Sequence, residues 1–118
     1  MANIYTAVDW TSTTVTATGN TTLVSAGGSG TSIEILTLTY ANNTTTTGQV
    51  DIGFRDGAAG TIHMRHLTET IGDGFEFSFS TPWTLGTNSA FIVNMSAGTA
   101  PSLLVSVHYR LLDRDFPV

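Results

Sequence analysis

Gln49-Val50-Asp51-Ile52-Gly53-Phe54-Arg55 decides the fold class. Val50, Ile52 and Phe54 fall on one parity, and Asp51, Gly53 and Arg55 on the other. That period of two places apolar side chains on one face of a pleated strand and polar ones on the opposite face. The same alternation recurs outward in both directions. Phe75-Glu-Phe-Ser-Phe79 points three phenylalanines inward and Glu76 and Ser78 outward. In the last long run Leu103, Val105, Val107, Tyr109 and Leu111 share one face, and Leu104, Ser106, His108, Arg110 and Leu112 share the other. No stretch keeps a 3.6-residue apolar period for three turns.

Turn chemistry separates the runs: Ala26–Gly30, Ala41–Thr44, Asp56–Gly60, Gly72–Gly74, Thr81-Pro82, Leu85–Asn88 and Ala97–Pro101. Strands are expected near 4–8, 13–17, 22–25, 32–40, 48–55, 60–67, 74–80, 90–96 and 102–112. Eight to nine short strands at this spacing predict an all-β antiparallel β-sandwich of jelly-roll or Greek-key type. In Ser32-Ile-Glu-Ile-Leu-Thr-Leu-Thr-Tyr40, Ile33 and Ile35 occupy one parity and Leu36, Leu38 and Tyr40 the other. That switch predicts either a bulge or a strand covered on both faces. Residues 1–30 are polar and Thr-rich. They read as an N-terminal arm that pairs with another chain or as edge strands, beside a β-sandwich over 31–118, in a single domain overall.

Composition narrows the function classes. The chain has 22 threonines, no lysine and no cysteine in 118 residues, and 11% of its residues are charged. Soluble domains average roughly 25% charged residues. A surface covered by Thr, Ser, Asn and Gly suits a protein packed against neighbours. The length suffices to bury roughly 65–70% of the unfolded surface, so neither metal nor disulfide is needed for folding. A net charge of −5 with four scattered arginines argues against nucleic acid. No apolar run approaches the ~20 residues of a membrane-spanning helix, and Met1–Tyr5 has no basic or apolar signal region. Neither a membrane nor a secretory leader is expected.

Catalytic signals are weak. His63 and His66 are three apart, and on a regular strand they point to opposite faces and cannot grip one ion. The His-x-His element of a cupin-like metalloenzyme is missing, as are a calcium loop, a Gly-x-Ser-x-Gly elbow and a phosphate loop. The aspartates sit in or beside turns, where they cap backbone groups. No catalytic residue, metal or cofactor is expected. Trp83, in Thr81-Pro-Trp-Thr84, either plugs one end of the core or sits exposed, where an indole stacks on a sugar or anchors an interface.

The order of elements from Thr31 to Leu112 resembles a known family. An apolar strand ends in a Tyr/Asn turn (Ile33–Asn42), followed by Val-x-Ile-x-Phe-x-Asp-Gly (Val50–Gly57) and a second strand over Gly60–Leu67. Gly-x-x-Phe-x-Phe (Gly72–Phe77), Leu-x-Thr (Leu85–Thr87), Ala-Phe-Ile-Val and Val-Ser-Val-x-Tyr (Val105–Tyr109) complete it. This is similar to the small jelly-roll head decoration, or cement, proteins of tailed bacteriophages. The resemblance implies a non-enzymatic virion protein, a homotrimer made in the host cytoplasm and bound outside the head to the major capsid protein. Tyr5, Val8, Trp10, Trp83, Leu112, Arg114 and Phe116 are the expected partner contacts. The alternative is a tail- or fibre-associated sandwich binding host surface glycan through Trp83, Tyr40 or Tyr109.

Overall fold

The computed structural model describes residues 2–5, 8–43, 50–58, 60, 62–68, 74–97 and 102–116, with side chains at 8–43, 51–58, 60, 62, 74–96 and 102–113. Among them are nine strands: β1 (Ala2–Tyr5), β2 (Asp9–Val15), β3 (Gly19–Val24), β4 (Thr31–Asn42), β5 (Val50–Asp56), β6 (Ile62–Thr68), β7 (Gly74–Thr84), β8 (Phe91–Ala97) and β9 (Leu103–Phe116). They form two antiparallel sheets. The first runs β1-β9-β4-β7, with β2 beside β9 on the same edge as β1; the second runs β3-β8-β5-β6.

The pairings nest. β2 lies against β9, β3 against β8, β4 against β7 and β5 against β6. A long antiparallel hairpin rolled on itself gives this order, with β4–β9 and β5–β8 closing the roll. It is the jelly roll that the alternation predicted. Residues 9–24 supply one edge strand to each sheet.

The core lies between the sheets. Ile33, Ile35, Leu38, Tyr40, Leu103, Val105 and Val107 point inward from the first; Ile52, Phe54, Phe91, Val93 and Met95 point inward from the second. Phe54 and Phe91 stack at 5.7 Å, and the Tyr40 ring reaches across to Phe54 at 5.7 Å. Burial pushes the Tyr40 hydroxyl up to about 12, because the phenolate form has lost its water.

The parity switch in β4 is a bulge. Ile35 pairs with Tyr109 and Thr37 with His108, so Leu36 is skipped in the ladder to β9. On the other side, Ile35 pairs with Trp83 but Thr37 with Ser78. Ile33, Ile35, Leu38 and Tyr40 therefore all reach the same core despite their opposed parity. Residues 79–82 of β7 bow out opposite the bulge, and Pro82, which has no N–H to donate, lies there. Thr81-Pro82, expected as a turn, is thus a register break within one strand.

Two expectations need correction. Phe75, expected inward with Phe77 and Phe79, is 46% exposed. It lies near the start of an edge strand, where its ring stacks with those of Tyr40 and Phe77. The N-terminal strands are displaced from 4–8 and 13–17. Their own Thr/Ser alternation is weak, and the observed register follows the strong alternation of β9 from Leu103 to Tyr109.

Candidate interaction surface

The outer faces of the two sheets differ. On the second sheet the outer side chains are tied together. Asn20 Oδ1 accepts from Asn94 Nδ2 at 2.8 Å and from Arg55 Nη1 at 3.3 Å. The β5–β6 connection folds over this cluster: Arg55 Nε donates to Gly60 O at 2.9 Å and Asn20 Nδ2 to Ala58 O at 3.2 Å. Asp56 Oδ2 receives the Gly86 N–H at 2.9 Å and so joins β5 to the β7–β8 loop.

The outer face of the first sheet is open among the described residues. The register sets it out in rows: Trp10–His108–Thr37–Ser78, then Ser12–Ser106–Thr39–Glu76, then Thr14–Leu104–Ala41–Gly74. Trp10 is 52% exposed and Leu104 40%. The Trp10 and His108 rings meet at 5.2 Å, and the hydroxyls of Ser12 and Ser106 are 2.8 Å apart. Gly74 closes its row because a Cβ there would lie 2.6 Å from the Tyr40 carbonyl oxygen.

One charged group seals the far end of this face. Glu34 is 6% exposed. Its Oε1 accepts from Arg110 Nε at 2.8 Å and its Oε2 from Thr84 Oγ1 at 3.0 Å, so three strands contribute to one satisfied carboxylate. Beside it Ser32 and Leu112 are also buried. Tyr109, on the core side, donates to Asp9 Oδ2 at 3.4 Å; burial first, then the Asp9 charge, pushes its hydroxyl up.

The expected contact residues separate into groups. Trp10 is exposed on the open face, and Val8, 49% exposed, precedes β2. Trp83 packs against the core, edge-on to Phe91 at 5.3 Å. Leu112 is 4% exposed, filled in by its own chain. Tyr5 pairs with Leu112, and Ala2 with Phe116, in the β1–β9 ladder. The side chains of Tyr5, Arg114 and Phe116 lie outside the described residues, as do those of His63 and His66. The backbone at those histidines is not a regular strand: Phe54 pairs with His63 and Ile52 with His66, with a register shift between. Strict alternation therefore does not govern that pair. Among the described residues, no group of three or more His, Asp or Glu side chains is placed to hold a metal ion, and no cavity is found.

No family model and no curated protein matches the chain. Solved structures do. The chain is similar to one in the acid-stable capsid of Helicobacter pylori bacteriophage KHP30, with a TM-score of 0.60 over 92% of this chain and 91% of that one, at 11% identity. The two chains share a fold. Overlaps extend to the capsid asymmetric unit of cyanophage Pam1 (TM-score 0.48, 18% identity, 92% and 85% covered). They include the virus-like particle of extra small virus from the giant freshwater prawn Macrobrachium rosenbergii (TM-score 0.46, 11% identity, 94% and 80% covered).

Periodicity alone does not single out the residues that form the open face. Leu104 carries a usable signal: it is a large apolar residue on the polar parity of β9. Glu34 carries another, as the one charged residue of β4, set between Ile33 and Ile35. Its partner Arg110 lies 76 residues away, and only the β4–β9 register brings them together.

Proposed function

We propose that this chain is a non-enzymatic structural protein of a virion, a decoration or cement protein that binds outside a phage head and bridges neighbouring major capsid subunits. The observation that carries the reading is the fold shared with a phage capsid chain over nine-tenths of both lengths. The surface chemistry supports it. A shell-bound protein surrounded by neighbours gains from faces that lose little on desolvation, and Ser/Thr faces with few charges meet that requirement. Many modest contacts on a lattice add by avidity, so no single interface has to be large.

Contact with the shell is assigned to the end of the sandwich where the two termini run together. β4 begins opposite Asp113, so residues 114–116 of β9 run past it with β1 alone alongside. A two-stranded ribbon is marginal in water without cover, and a shell surface supplies that cover. Leu112, which pairs with Tyr5, anchors the ribbon's base.

The test is a cryo-EM map of the parent particle with this chain located and counted. Hundreds of copies grouped in threes on the head support the proposal. A few copies at the tail overturn it in favour of a host-attachment module.

A further inference from the structure

We infer that the open face of the first sheet is a two-fold contact between copies of this chain, centred on Ser12 and Ser106. This goes beyond the capsid reading and stands without it.

Four observations converge on a second copy as the occupant. First, the two outer faces are built differently: one carries the Asn20–Arg55–Asn94 hydrogen-bond cluster with the 58–60 loop, while the other keeps Trp10 and Leu104 exposed. Second, the open face is nearly free of charge in a chain of net charge −5. Its three rows hold one carboxylate, Glu76, at the β7 edge, and the Glu34 carboxylate at its far end is paired with Arg110; Asp51 and Asp56 belong to the other sheet. A face that meets its own copy has to keep like charges off the centre. Third, Ser12, Thr14, Thr37, Thr39, Ser78 and Ser106 offer hydroxyls, each of which donates and accepts. A hydroxyl face is therefore complementary to itself, which a carboxylate or guanidinium face is not.

The fourth observation is geometric. Trp10 lies two residues to one side of Ser12, and Thr14, paired with Leu104, two residues to the other. A two-fold axis in the contact plane along the Ser12–Ser106 row places the Trp10–His108 pair of each copy over the Thr14–Leu104 pair of the other. The two exposed apolar groups then cover each other at both ends, with hydroxyls between. In an isologous contact, residue i meets j and j meets i; sheets packed face to face in this way align within about 30°.

The extent of the face sets the strength. Four strands at ~4.8 Å and seven residues at ~3.4 Å give a plan area of roughly 450 Å². A standard interface buries about 800 Å² per partner. The contact is accordingly weak in dilute solution and fills where copies are concentrated.

The test uses the full chain, which has no native cysteine. Ser106→Cys, treated with a short bismaleimide over a rising protein concentration, yields a covalent dimer. Ser96→Cys, on the outer face of the second sheet, yields little. In sedimentation velocity, Ser106→Arg raises the concentration for half-association about tenfold or more, the change that ~1.4 kcal/mol produces. Ser12→Cys repeats the cross-link from the neighbouring strand if position 106 perturbs folding. Equal cross-linking at positions 106 and 96, or Ser106→Arg sedimenting as the parent chain, overturns the inference. So does a cross-link on the intact particle that joins Ser106→Cys to a shell subunit in place of a second copy.

Discussion

At the scale of single residues, the Glu34 carboxylate is the most consequential polar group described. It is held under cover by Arg110 from β9 and Thr84 from β7. Removing one partner of a buried pair leaves an uncompensated charge, which costs about 3–5 kcal/mol when burial is complete. Arg110 is 31% exposed at its side chain, so water compensates in part. Arg110→Met is expected to lose ~2 kcal/mol by urea unfolding. Adding Glu34→Gln to Arg110→Met should recover most of that loss, because the amide oxygen still accepts from Thr84 and no charge remains. A double variant no more stable than the single one would mean that the guanidinium acts through packing.

At the scale of elements, the bulge at Leu36 lets β4 serve two halves of one core. Strand alternation has a period of two, so removing the extra residue turns one half of β4 to the wrong face. Deleting Leu36 would send either Ile33 and Ile35 or Leu38 and Tyr40 to the solvent side. The expected outcome is a chain that is insoluble or lacks the near-ultraviolet dichroism of its packed aromatics. A soluble variant with that signal intact would show that β7, already bowed at residues 79–82, takes up the slip. The sequence displays this device openly, since a strand with apolar residues on both parities must either bulge or be covered twice. The strands from β4 onward were largely legible, because β5, β8 and β9 alternate strongly and Gly, Asn and Pro divide them, whereas the weakly patterned N-terminal strands were misplaced. Phe75 was not legible. Periodicity reports which side a residue faces and says nothing about whether a neighbouring strand lies over it. The open face was hidden for a similar reason: Trp10, Leu104 and Ser106 are far apart in the chain, and only the β2–β9 register makes them one surface.

At the scale of the whole molecule, the described chain extends 54 × 25 × 18 Å. The long axis follows β9, whose 14 residues span roughly 46 Å at ~3.3 Å each. A cut that tests the terminal ribbon has to spare β2, because Asp9–Val15 pairs along β9 from Leu103 to Tyr109. Removing residues 1–7 is expected to leave the cooperative unfolding of the sandwich in place and to lower occupancy on the shell. Unchanged occupancy on particles would take the ribbon out of the shell contact.

The nested pairing also governs how the chain is made. Of the nine strands β9 is made last, yet it lies between β2 and β4 inside the first sheet, and β8 is placed in the same way between β3 and β5. Neither sheet has its interior until β8 and β9 have been synthesised. Partners that are distant in sequence also make such topologies slow to assemble. While the nascent chain waits, β2 and β3 lack their partners β9 and β8, and β4 and β5 each have one edge open, available for pairing with another nascent chain. The chain has no lysine, and its hydroxyl-rich strands carry few of the charged gatekeepers that usually guard such segments. The interval between synthesis and closure is therefore when this protein is most exposed to aggregation.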